Sequence, residues 1–167
     1  MASVHRLRIG SVAFEYRIEE RDYTIEIGEL FIDERPLADW LGSVRHLGNC
    51  HTDFDPRTSA PRRAWAREAW LGLTPADNQN GSGRLVLYRC HCGCDYCGVV
   101  SCLANFDGDR VVWDQLTYET EDGPMLERDP DEAPEDSLFP PSGPLRFVFD
   151  RAQYQAELER HFQPRLS

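Results

Sequence analysis

The sequence contains no lysine, and all 18 of its basic residues are arginines. This absence has no folding rationale and reads as the codon usage of a GC-rich genome. Also missing is any apolar run approaching the roughly eighteen residues that span a bilayer, which excludes a membrane-crossing helix. Residues Met1 to Gly10 alternate polar and apolar types where a secretory signal needs an unbroken apolar stretch, so a cytoplasmic location is expected. No Gly-x-Ser-x-Gly elbow and no His-Glu-x-x-His pair occurs, and Gly81-Ser82-Gly83 lacks the spacing of a phosphate-binding loop. The standard enzyme signatures are therefore absent, although a site assembled from scattered residues stays open.

What is present begins with charge. Acidic residues outnumber basic ones 29 to 18, and a net charge of −11 repels nucleic-acid phosphates and anionic headgroups while favouring a basic protein partner. A length of 167 residues, 41% of them hydrophobic, suits one domain over 1–167 with its own core.

Period-two alternation predicts strands over His5–Ile9, Val12–Ile18 and Tyr23–Ile27, a break at Gly28-Glu29, and resumption over Leu30–Ile32 before a turn at Asp33–Arg35. Pro36 opens a short helix that Gly42 ends. A second helix starts at Pro61 with Ser59 or Ala60 as cap, and sets Trp65, Ala66, Ala69, Trp70 and Leu73 on one side. Thr74–Gly83 reads as a flexible connection. Arg84–His91, Gly98–Leu103 and Arg110–Tyr118 form a cysteine-rich three-stranded meander, its second turn made by Asp107-Gly108. An acidic, proline-rich loop occupies about 119–144, to be solvated and partly mobile. Leu145–Phe149 is a strand, and Asp150 with Gln153 forms a capping box for a terminal helix whose Tyr154, Leu158 and Phe162 dock on the sheet. The fold class is α+β with a mainly antiparallel sheet.

Chemistry concentrates in Cys90-His91-Cys92-Gly93-Cys94-Asp95-Tyr96-Cys97. A tight turn aims several sulfurs at one point, which suits tetrahedral zinc. Cys90, Cys92, Cys94 and Cys97 are the candidate ligands, with Cys50 and His51 from the irregular segment forty residues earlier to complete the site. Unligated reduced thiols are the bland alternative. Cys94-x-x-Cys97 has the spacing of thiol-disulfide catalysts, so an oxidoreductase is the rival reading, though its flanks read as strands instead of the helix start that lowers a catalytic thiol's pKa. Cys102, inside a strand, reads as a small buried apolar side chain.

The pattern Cys90-x-Cys92-Gly93-x-x-x-Cys97, then Val112-Trp113, then Phe149-Asp150-Arg151-Ala152-Gln153-Tyr154, resembles a family of uncharacterised bacterial proteins, commonly actinobacterial. The likeness covers roughly the C-terminal half, with a fainter match from Leu30 to Leu41. It implies no mechanism, although some members carry an oxidoreductase label. Cys94 departs from the pattern, standing where an acidic residue is common.

Two further groups carry chemically capable side chains. His51-x-Asp53-x-Asp55 offers an imidazole and two carboxylates, but Asp55-Pro56 is an ordinary turn signal and a capped loop is the simpler reading. Arg57, Arg62, Arg63 and Arg67 beside Trp65 and Trp70 could hold a phosphate, yet against the overall negative charge they read as the coat of a packed helix. The reading is a zinc-supported module that binds a protein, such as an acidic inhibitor or immunity protein.

Overall fold

The computed structural model describes residues 4–42, 51–56, 58–90, 92–133 and 137–162. Its first third is shaped by two turns of one kind. Strands β1 (Leu7–Ile18) and β2 (Arg21–Ile32) pair antiparallel along their whole length, Leu7 opposite Ile32 and Ile18 opposite Arg21. Glu19 and Glu20 between them have φ of 50° and 67°, and Asp33 and Glu34 repeat this with 53° and 66° before the short β3 (Arg35–Pro36). Two successive left-handed residues give the turn whose twist matches that of the strands.

The expected break at Gly28-Glu29 does not occur, and the two predicted N-terminal strands are one. Gly28 is there because the chain at Thr52–Asp55 crosses it: a Cβ would meet the Thr52 hydroxyl at 2.8 Å and the Phe54 carbonyl carbon at 2.9 Å. Glu29 is buried within the strand, accepting from the Tyr88 hydroxyl and the Leu30 N–H.

Helix α1 (Leu37–Leu41) buries Leu37, Ala38 and Leu41 and stops at Gly42, as predicted. In α2 (Ala60–Trp70) the Ser59 hydroxyl accepts from the Arg62 N–H, and Ala66, Ala69 and Trp70 face the core. Trp65 and Leu73 do not join them, being 40% and 59% exposed. Trp65 lies at the margin of the buried stripe under the Arg62 guanidinium, and Leu73 falls beyond the helix, after Gly72 with φ of 73° turns the chain.

The second sheet is built on β6 (Arg110–Thr120), flanked on one side by β5 (Val99–Asp107), which pairs in turn with β4 (Leu85–Tyr88). On its other side lie β8 (Leu145–Asp150) and the two-residue β7 (Gly123–Pro124). The Asp107-Gly108 turn forms as expected, with Asp107 opposite Arg110. β4 ends at Tyr88, short of prediction, because Arg89 forms a backbone bridge with His51. The acidic segment is tied at its start, where Met125 donates to the Tyr118 carbonyl and accepts from the Thr117 hydroxyl.

Helix α3 (Arg151–Phe162) follows Asp150, whose carboxylate accepts from the Gln153 N–H at 3.0 Å. The return half of the capping box is missing, since the Gln153 side chain instead bonds both the N–H and the C=O of Leu7, at 3.1 and 2.6 Å. Glu157 accepts from the Ile9 N–H and Arg160 donates to the Ile9 carbonyl, so three helical side chains serve the edge of β1. Trp70, Trp113, Phe149 and Tyr154 meet edge to face or tilted at the centre, in a core shared by both sheets and all three helices. The Tyr154 hydroxyl donates to the Trp70 carbonyl at 2.9 Å, satisfying a buried polar group in that core.

Candidate metal centre

Between β4 and β5 the chain makes a ten-residue excursion instead of a tight turn, and buried polar groups hold it. Arg89 and Asp95 are both buried and pair at 3.0 Å across the base of the loop. Asp95 also exchanges bonds with Gln79: its carboxylate accepts from the Gln79 N–H at 2.9 Å, and its own N–H donates to the Gln79 side chain at 2.8 Å. The Gln79 amide donates to the Gly93 carbonyl, so the predicted flexible connection is a brace for the cysteine loop. On the other side Arg89 approaches Asp53 at 3.6 Å, and Asp53 further accepts from Arg62 and from the Trp70 indole.

Within this frame the backbone folds by local turns. Gly93 (φ 77°) donates to the Cys90 carbonyl, and the single 3-10 turn Asp95–Cys97 ends at Gly98 (φ 101°), which donates to the Asp95 carbonyl. Gly98 is required twice over, by its left-handed backbone and because the Tyr118 ring and hydroxyl, which donates to the Cys97 carbonyl, occupy the space a Cβ would take.

The sulfurs of Cys90, Cys92 and Cys97 lie within 4.8 Å of one another, and those of Cys92 and Cys97 approach to 3.6 Å. These three could hold a metal ion. Cys94 stands outside the group and contributes its backbone instead: its N–H donates to the Cys92 sulfur, which with the neighbouring thiols holds the Cys92 thiol below its ordinary range. Cys97 carries the opposite shift, pushed up to about 12, because hydrogen bonds to Cys92 and then Cys90 retain its proton. A lowered Cys92 thiol beside a Cys97 thiol that keeps its proton is the arrangement a cation reverses, since binding needs thiolates.

His51 is brought beside the loop through its bridge to Arg89, but its ring lies 3.6 Å from the buried Asp55 carboxylate and not among the sulfurs. Cys50, His91 and Arg57 lie outside the described residues. Cys102 is buried as read from the sequence, and burial pushes its thiol up. His51, Asp53 and Gly93 line, with Thr58, Ser59, Arg62 and Arg89, a cleft of about 260 Å³ beside the loop. Among the described residues no helix is long and apolar enough to cross a membrane.

Asp95, Arg89 and Gln79 were not legible as site residues. Arg89 held the one available signal, a charge continuing a predicted strand immediately before the first cysteine. Comparison with family models, curated proteins and solved structures finds no match.

Proposed function

We propose that Cys90, Cys92 and Cys97 bind a structural zinc ion, and that the loop so fixed serves a cytoplasmic module which binds a basic protein. The observation carrying this reading is the convergence of three sulfurs within 4.8 Å on a loop braced by buried ion pairs. Thiolates select zinc among the abundant divalent ions, and a reducing compartment keeps them available. Cys50 and His51 remain the sequence-based source of a further donor, supported by the bridge that ties His51 next to Cys90. A charge of −11 supports a basic partner, as in acidic inhibitor or immunity proteins. Elemental analysis of the purified chain tests the metal: about one zinc per chain is expected. A content no higher than that of Cys97→Ser refutes it.

A second reading is favoured by one distance. The 3.6 Å approach of Cys92 to Cys97 makes these two, in place of Cys94 and Cys97, the pair for thiol-disulfide exchange. Thiol titration against a glutathione redox buffer separates the readings. A reversible couple lost in Cys92→Ser supports exchange, while thiols that react only after chelation support the metal.

A further inference from the structure

The β1–β2 ribbon leaves the body of the protein. From Ser11 to Glu26 no described side chain is buried, and Ile18 at the tip is 54% exposed. β1 is the outer strand of its sheet. Alternate residues of a strand send their N–H and C=O groups to the same side. Leu7 and Ile9 send theirs to Gln153, Glu157 and Arg160 of α3. The same phase carries the backbone groups of Ser11, Ala13, Glu15 and Arg17 outward, and among the described residues none of these has a hydrogen-bond partner. Proteins blunt such edges with charged side chains, proline or bulges. Leu7–Ile18 contains no proline, its register with β2 is unbroken, and its outward charges over 11–17, Glu15 and Arg17, are of opposite sign.

We infer that this edge is an interface between two copies of the chain, their β1 strands pairing antiparallel about a two-fold axis at Tyr16. The register follows from charge. Outward-facing residues must oppose one another for hydrogen bonds to form, which confines the choice to axes on single residues. An axis at residue 15 sets Glu15 against Glu15, and one at 17 sets Arg17 against Arg17. An axis at 14 sets Glu15 against Ala13 and Arg17 against Ser11, with no complementary pair. An axis at 16 sets Glu15 opposite Arg17 twice, and directly opposed unlike charges stabilise a pairing that like charges disfavour. Arg17 already lies 3.8 Å from Asp22 in its own ribbon, with both side chains largely exposed, and its five donors allow it to serve both carboxylates. The equivalent edge of β2 presents Asp22, Thr24 and Glu26, which offer no pair of unlike charges in any register. The contact is isologous, so it closes at two copies.

Sedimentation of the full chain over a range of concentrations tests this. The unaltered protein is expected at twice the mass of the chain, and Glu15→Arg and Arg17→Glu each at the monomer mass. An equimolar mixture of the two variants is expected to return to the dimer, because each opposed pair again unites unlike charges, and a misfolded variant could not do so. The inference is overturned by a protein that stays monomeric at every concentration, by a dimer indifferent to Glu15→Arg, by single variants that stay apart when mixed, or by growth past two copies.

Discussion

The guanidinium of Arg89 and the carboxylate of Asp95 are paired at 3.0 Å with almost no solvent contact, in the loop that carries the three clustered sulfurs. Removing one member of a buried pair leaves the other charged and uncompensated, a loss of about 3–5 kcal/mol. Asp95→Ala also takes away the acceptor for the Gln79 N–H. Its unfolding midpoint in urea should drop accordingly and its metal content should fall with it. A loss under about 1 kcal/mol would show that the brace is not needed.

Gly93 and Gly98 make a controlled comparison. Both have positive φ, but nothing lies within 4 Å of a Cβ at Gly93, whereas one at Gly98 would overlap the Tyr118 ring and hydroxyl. Gly93→Ala should cost about 1 kcal/mol of backbone strain. Gly98→Ala adds overpacking, for a total of about 2–5 kcal/mol. Equal losses in denaturant melts of the two variants would contradict the packing described.

Much of this fold is written in local pattern. Alternation gave the strands, Pro36 and Gly42 bounded α1, and Ser59 and Asp150 capped their helices as read. What escaped was decided by distant contacts. The run of β2 through Gly28 depends on a loop that reaches it from Thr52–Asp55, and Gln153 turns from its cap to Leu7, 146 residues away. The turn at Glu19-Glu20 escaped because Glu-Glu lacks the Asn-Gly or Asp-Gly signature of its geometry, whereas the turn opening at Asp33 was read from the sequence. At the site, cysteine spacing pointed to the cluster, but only folding separates Cys94 from Cys90, Cys92 and Cys97, since the turn at Gly93 breaks the period-two phase that would have aligned them.

Acid should loosen the junction of α3 with β1. Burial raises the Glu157 carboxyl, but the Arg160 side chain, the Ile9 N–H and the charges of Arg160 and His161 outweigh it and hold the group below its ordinary 4.5. A carboxyl depressed in the folded state adds stability above 4.5, and that contribution is lost as pH falls through the lower folded value. Glu157→Gln should therefore lose stability less steeply than the unaltered protein as pH falls from 4.5 to that lower value, in urea titrations repeated along the acid limb. Parallel curves would refute the linkage.

The cysteines should separate by reactivity. Cys92 and Cys97 are exposed, whereas Cys102 is fully buried with its thiol pushed up. In metal-free protein a maleimide should label Cys92 first, Cys97 more slowly because its proton is retained, and Cys102 only on unfolding, read by peptide mass mapping. Early modification of Cys102 would show that β5 opens locally.

The side chains of Gln153, Glu157 and Arg160 complete a strand made near the start of the chain. During translation Leu7 emerges 146 residues before Gln153, so the outer edge of the first hairpin stays open to solvent until α3 is made. Closure of that edge thus waits on α3.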